Sequence, residues 1–433
     1  MKTRFLTNKR CLHRFASSFH CQVGYHRESV RTVLSILSPK HPHQSTQKAT
    51  EMPAERQPSI GKDAQSAAVP KAQWAVARSS LRDPTRRLPQ AIAHRGAKVD
   101  WPENTMAAFR GAVTAGAHAI ETDVHLSSDG IAVISHDPSL KRCFGVDARI
   151  AECSWEYLST LRTVAEPHEP MPRLRDFLEW LTQPELEKIW VVLDIKLNDN
   201  PADLMCAIER ALDSVNGPVP WDQRIVLGCW NVSYFSTLTP TRYETWFQLT
   251  ADMTQQASFL QAARSQLPTY PLAHISASLL YSHHFLKVPD LGFNLNQNTL
   301  VGPSGKLFSR ELQRTDKLLM TWTVNQPRRM EWCIRQNLGH PRRTNSKVQG
   351  LPLIDGVITD NPRLYLEVCQ RFEDEMDGKL VRSDPALAQK VRNKAETVAF
   401  VLVTQVLMIV YHVVRRMQGK FDFLRDRRTL DKR

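Results

Sequence analysis

At 433 residues the chain can bury a core the size of a barrel domain of about 250 residues and still carry extensions. Its eight cysteines show no paired metal-ligand spacing and no dense framework, which excludes a disulfide-stapled scaffold and favours reduced intracellular thiols. The formal net charge of +13 suits phosphate substrates, anionic lipid or nucleic acid, but the basic residues gather at the chain ends without interleaved aromatics, which argues against nucleic acid.

Residues 1–88 have little apolar periodicity and read as a disordered basic leader and linker. Nine Lys or Arg stand against the single acid Glu28 in the first fifty residues, a composition that fits a mitochondrial transit segment, a plain basic tail, or a chain whose true start is Met52. From Ala91 strands and helices alternate. Ala91-Ile92-Ala93 predicts a short buried strand ending at His94-Arg95-Gly96, where the glycine lets the chain turn beneath a ligand. Pro102 and Asn104 then open a helix with Met106, Phe109 and Val113 inward.

A second strand over 119–126 carries Glu121 and Asp123 two residues apart, so both carboxylates point to one side. A third strand over 131–135 delivers His136 and Asp137. Two acids on one buried face repel unless something positive sits between them. A hard divalent cation bound through oxygens answers that need, and so does an Arg or Lys partner.

Residues 138–172 exceed an ordinary connection and predict an insertion over the active face. A helix over 173–182 leads to a fourth strand, 189–197, in which Asp194 and Lys196 share a face. A helix over 201–215, a fifth strand ending at Trp230, a sixth over 245–250 and a helix near 254–264 follow. The stretch 270–316 resists parsing, and its His283-His284 pair is assigned no chemistry. Strands over 318–324 and 354–359 close the series, separated by a basic surface loop over 339–351.

Taken together, His94-Arg95-Gly96, Pro102-Glu103-Asn104-Thr105, Glu121-Thr122-Asp123-Val124 and His136-Asp137 resemble the glycerophosphodiester phosphodiesterases. The closing runs from Thr321 to Asn325 and from Asp355 to Asp360 resemble that family's last two motifs. The resemblance covers about Ala91 to Phe372 and is closest to the fungal phosphatidylglycerol phospholipase C branch. It implies a (β/α)8 TIM barrel over 89–372 with an insertion after strand 3. It further implies His94 and His136 as the catalytic acid and base, in either order. Glu121, Asp123 and Asp194 would ligate one divalent cation, Mg2+ or Ca2+, while Arg95, Lys196, Trp230 and Trp322 meet the substrate. The family usually has glutamate where Asp194 stands, so ligation from the shorter arm is expected to be direct or through water. Asp355, Gly356 and Asp360 are expected only to shape the barrel rim.

After a polar spacer over 373–394, the run from Val398 to Val414 offers about 17 residues, the lower limit for a membrane span. Thr404, Gln405 and His412 interrupt it, and Arg392, Lys394, Arg415, Arg416 and Lys420 flank it. Residues 395–433 are therefore expected to form a membrane-anchoring hydrophobic helix and basic tail on an anionic membrane surface, either crossing or dipping. Such a tail suits a glycerophospholipid substrate, phosphatidylglycerol cut to diacylglycerol and glycerol 3-phosphate. The alternative is a glycerophosphodiesterase that releases glycerol 3-phosphate and an alcohol from deacylated lipids. The expected location is an intracellular membrane, mitochondrial or of the endoplasmic reticulum and lipid droplets. The sequence leaves oligomeric state open.

Overall fold

The structure, a computed structural model, describes residues 72–196, 198–230, 259–338, 353–381 and 387–417. The strands of its main sheet are β1 (Gln90–His94), β2 (Ala119–Leu126), β3 (Ala132–Ile134), β4 (Trp190–Ile195), β5 (Ile225–Trp230), β6 (Leu272–Ser276), β7 (Gly292–Asn296), β8 (Leu319–Trp322) and β9 (Gly356–Thr359). All but β3 run parallel, in the order β1-β9-β8-β7-β6-β5-β4-β2, and β2 pairs back onto β1 to close an eight-stranded barrel. The principal helices are α1 (Met106–Thr114), α2 (Leu174–Leu181), α3 (Pro201–Asp213), α4 (Phe259–Gln266), α5 (Pro303–Leu312), α6 (Pro327–Arg335), α7 (Pro362–Met376) and α8 (Leu387–Met417).

Period-two alternation sorts the strand residues into two cores. Ile92, Ala119, Trp190, Val192, Val226, Ala273, Met320 and Ile358 fill the barrel interior. Their neighbours Ala91, Ala93, Ile120, Val124, Val191, Leu193 and Val357 pack outward with Phe109, Phe177 and the other helix faces. The inward rows continue upward into polar residues: Ile92 is followed by His94, Ala119 by Glu121 and Asp123, and Val192 by Asp194 and Lys196. One alternation therefore builds both an apolar floor and a charged mouth at the C-terminal ends of the strands.

The floor is closed from below by residues that the sequence reading placed in the leader. Ala72, Ala75 and Ala77 are buried, and Trp74 meets Trp190 edge-on with ring centroids 5.3 Å apart. Gln90 Nε2 donates to the carbonyls of Trp74 (2.8 Å) and Val76 (2.7 Å), while Trp190 Nε1 donates to Gln90 Oε1 (2.9 Å). Asp355 lies at this end and accepts from the backbone N–H groups of Ala77 (3.0 Å) and Leu319 (2.9 Å). Residues 72–88 thus pack on the barrel and do not form a linker. The segment from Ala72 to Ala77, which works as a plug, is too short to show a helical or strand period.

Three further differences concern element placement. The predicted third strand exists as β3, but it runs antiparallel to β2 as a hairpin and is not a barrel stave. Barrel strands β6 and β7 come instead from the stretch that resisted parsing, while the strand predicted at 245–250 and the loop at 339–351 lie outside the described residues. The spacer predicted over 373–394 is largely helical where it is described: α7 runs to Met376 and α8 starts at Leu387. The insertion between β3 and α2 has a small core of its own, made of Val133, Leu140, Ile150, Cys153, Leu158 and Met171.

Candidate active site

The β2–β4 register sets Asp123 directly beside Asp194, and the β1–β2 register sets His94 beside Glu121. One ligand oxygen from each of Glu121, Asp123 and Asp194 lies within 4.8 Å of the others, and all three residues are buried. The shorter arm of Asp194 therefore still reaches the cluster. Trp230 Nε1 donates to Asp194 Oδ1 at 2.8 Å, which fixes the carboxylate from the β5 side.

Positive charge comes from two buried cations. Lys196 Nζ lies 2.6 Å from Asp123 Oδ1 and 2.7 Å from Asp194 Oδ2. Arg95 reaches Asp123 with Nε (3.3 Å) and Glu103 with a terminal nitrogen (2.8 Å), and its backbone N–H donates to Glu121 Oε2 at 3.0 Å. Arg95 and Asn104 both hold positive φ, 59° and 58°, and Asn104 uses that turn to donate from Nδ2 to Asp123 Oδ2 at 2.7 Å. Burial and the neighbouring Asp123 and Asp194 push the Glu121 carboxyl well above the usual carboxylate range. Against the cost of burial, Lys196 and Arg95 hold Asp123 well below it. Burial, reinforced by Asp123, raises Asp194 in spite of Lys196.

The acids thus outnumber the ammonium between them, and added positive charge would favour the ionised form of Glu121. An all-oxygen set of this kind fits a hard divalent cation, and these three residues are the ones that would hold it.

Two histidines face the cluster. His94 Nδ1 lies 2.6 Å from Asp360 Oδ1, and its Nε2 is 4.0 Å from Glu121 Oε2. His136 Nδ1 lies 2.7 Å from Asp137 Oδ1. A carboxylate on Nδ1 assigns that nitrogen as N–H and leaves Nε2 with its lone pair toward the centre. Burial, then Arg95 and Lys98, pushes His94 down to about 4; burial, then Lys196 and Arg95, pushes His136 down to about 3. Both shifts favour the neutral imidazole. Trp230 and Trp322 stand at the mouth with ring centroids 5.7 Å apart in an edge-on pair. The nine site residues expected from sequence therefore meet at one end of the barrel.

Other participants were not singled out from sequence. Asp360 was expected only to shape the rim, yet it holds His94, is itself fixed by Asn325 Nδ2 (2.6 Å), and lies 3.2 Å from Lys98 Nζ. Arg142 joins Asp137 (2.5 Å) to Glu103 (2.7 Å), tying the insertion to the β1 loop. His125, on the face of β2 that bears Glu121 and Asp123, pairs with Asp199 at 2.8 Å and with the His136 carbonyl at 3.2 Å. For the His125–Asp199 pair no sequence signal existed, because the partners are 74 positions apart.

The model of the glycerophosphoryl diester phosphodiesterase family matches residues 94–364. The chain belongs to this family. Among relatives of this phosphodiesterase, glycerophosphodiester phosphodiesterase 1 of Rattus norvegicus is 34% identical over 113 residues, which is 24% of this chain and 33% of that protein. The uncharacterized protein YqiK of Bacillus subtilis is 28% identical over 149 residues, 33% of this chain and 59% of that protein. A lysophospholipase D of Rattus norvegicus is 43% identical over 70 residues, 16% of this chain and 22% of that protein. The chain thus matches less than two thirds of the length of each. A phosphodiesterase structure from Oleispira antarctica, in complex with the product sn-glycerol-3-phosphate, aligns with a TM-score of 0.49 at 20% identity, covering 65% of this chain and 97% of that one.

Proposed function

We propose that this family member hydrolyses the phosphodiester of a glycerophospholipid, and specifically that it cuts phosphatidylglycerol to diacylglycerol and glycerol 3-phosphate as a phospholipase C. The observation that carries the reaction is the pair of carboxylate-held imidazoles beside three buried acids and two buried cations. A divalent cation, Mg2+ or Ca2+, held by Glu121, Asp123 and Asp194, would supply Lewis acidity toward a phosphate oxygen and a substrate hydroxyl. Arg95 and Lys196 add fixed positive charge where the phosphorane gathers negative charge.

In this reading one imidazole takes a proton at Nε2 from the attacking oxygen, either water or the headgroup's own 2-hydroxyl through a cyclic phosphate. The bond from phosphorus to the diacylglycerol oxygen breaks, and the other imidazole, which has taken up a proton at Nε2 from solvent before the step, gives it to that oxygen; a cyclic phosphate, where formed, is then opened by water to glycerol 3-phosphate. Asp360 and Asp137 stabilise the imidazolium that each histidine becomes on its turn. Trp230 and Trp322 offer apolar faces to the glycerol carbons.

The lipid substrate is supported by α8, whose segment Ala395–Val414 has a mean hydropathy of 2.1 with only 6% of its window buried. The proposed location is accordingly an intracellular membrane, mitochondrial or of the endoplasmic reticulum and lipid droplets. The test is product analysis by mass spectrometry on phosphatidylglycerol liposomes and on glycerophosphoglycerol, each with Mg2+, Ca2+ or chelator. Metal-dependent diacylglycerol supports the phospholipase reading. Cleavage of the soluble diester alone would replace it with a membrane-associated glycerophosphodiesterase, and cleavage of neither would remove both.

A further inference from the structure

Among the described residues α8 is the one helix long and apolar enough to cross a membrane. Its three polar interruptions do not face outward at random. Gln405 pairs with the Ser304 hydroxyl and donates from Nε2 to the Val301 carbonyl at 3.4 Å. His412 Nδ1 lies 3.0 Å from Ser278 Oγ. Thr404 is 4% exposed. Toward the N-terminal side of the same helix, the Arg329 guanidinium sits 4.2 Å from the centre of the Phe400 ring, and Val401 fills the space where Gly302 has no side chain. Positions 401, 404, 405 and 412 recur at helical spacing, so they form a single stripe along α8.

The partners of that stripe share a location. Ser278 follows β6, Val301 to Ser304 follow β7, and Arg329 follows β8. All lie on segments that leave the C-terminal ends of barrel strands, the end at which the histidines and acids meet. A helix held there by its polar stripe turns its other side away from the protein. Leu402, Val406, Ile409 and Val413 on that side are between 47% and 63% exposed, and the exposed cations Arg392 and Arg416 stand at the two ends. Exposed Leu280 and Leu307 lie two residues from Ser278 and three from Ser304, so the barrel itself adds apolar surface beside both polar attachments.

We propose that α8 does not cross the bilayer but lies in the plane of an anionic membrane surface, docked along the loops after β6, β7 and β8, so that the catalytic mouth opens at the lipid headgroups. A crossing helix would have to withdraw Gln405 and His412 from their polar partners on the barrel loops into hydrocarbon, a substantial cost for two polar side chains. An interfacial helix keeps those contacts, places its apolar side in the acyl boundary, and sets its terminal cations against anionic headgroups. The inference rests on the membrane attachment in the proposed function but not on which diester is cut.

The experiment uses the full chain bound to vesicles containing phosphatidylglycerol, with bimane attached to single cysteines introduced by Leu402→Cys, Val406→Cys, Ile409→Cys or Val413→Cys. Lipids brominated at shallow and deep acyl positions report the depth of each label, and the unsubstituted chain gives the background. An in-plane helix places all four labels at the same shallow depth. In a crossing helix the labels from 402 to 413 would spread over about 16 Å along the membrane normal, since the rise is about 1.5 Å per residue. That spread overturns the proposal while leaving membrane attachment intact. Absence of quenching, with the chain failing to sediment with vesicles, overturns attachment as well; absence of quenching with self-association would mean that a second copy covers the apolar side. Diacylglycerol release is read separately, so failure of the substrate assignment is distinguishable from each of these results.

Discussion

The Nδ1 atom of His94 lies 2.6 Å from Oδ1 of Asp360, although 266 residues separate them in the chain. The first and last strands of the barrel are neighbours through the β1–β9 pairing, so closure of the sheet creates this contact. Asp360→Asn keeps the shape but removes the charge that fixes the His94 tautomer. The expected result is a fall in kcat of about 10- to 100-fold with KM little changed, the usual cost of losing a partner that orients a functional histidine. Unchanged kcat would make Asp360 a rim residue only.

Crowding of the three acids is expected to make the barrel responsive to divalent ions. Addition of Mg2+ or Ca2+ is expected to raise the thermal midpoint, with a stabilisation of about 2.7 kcal/mol at a hundredfold excess over Kd. Glu121→Gln removes one charge and one ligand, so the apo protein should be no less stable while the ion-dependent rise shrinks or disappears. A full rise in the variant, read by calorimetry, would place the ion elsewhere.

Lys196 and Arg95 reinforce the effect of burial in holding His136 down to about 3. Lys196→Met removes the larger of these two opposing charges, and the His136 pKa should move up toward its ordinary value. Nitrogen-detected NMR of labelled histidine reads this directly. A value that stays near 3 or falls would show that burial alone sets it.

Asp355 gives a pH signature away from the mouth. Burial raises it to about 7 even though two backbone N–H groups donate to it. Between the unfolded value near 3.8 and about 7 the folded state holds a proton that the unfolded state has lost. Its contribution is therefore fully present at low pH and is lost as pH rises through the folded pKa, by up to about 4 kcal/mol for a shift of this size. Asp355→Asn should be less stable overall yet show a flatter dependence between pH 5 and 7.5 in denaturant titrations. An identical slope in the two proteins would contradict the assignment.

Removal of residues 1–71 leaves the plug intact, whereas removal of residues 1–88 strips Trp74 from Trp190, two acceptors from Gln90 and a donor from Asp355. The second truncation should be less stable than the first by on the order of 3 kcal/mol or more. Equal stabilities would return that segment to the role of linker.

Much of this was legible in the sequence because period-two strands put chemistry and core in register. Glu121 with Asp123, and Asp194 with Lys196, could each be placed on one shared face from spacing alone, and the tripeptide His94-Arg95-Gly96 marked a strand end. Spacing did not separate β3 from a barrel stave, since an antiparallel hairpin strand alternates in the same way. Nor did it locate β6 and β7, whose Ser, Asn and His residues dilute the apolar pattern while still being buried. The pairs His94–Asp360 and His125–Asp199 depend on closure and loop return, which local periodicity does not encode. Two of the polar breaks in α8 that counted against a clean span, Gln405 and His412, contact the loops after β7 and β6.

The small core within the insertion has a consequence for how activity is lost. His94 belongs to the barrel, but His136, Asp137 and Arg142 are borne by the hairpin and the lobe packed on Val133, Leu140 and Met171. A lobe of that size can open at a lower free energy than the barrel itself. The two imidazoles are thus borne by segments packed on different hydrophobic cores, and amide exchange in the lobe is expected to track inactivation on mild heating while the circular dichroism of the barrel stays native.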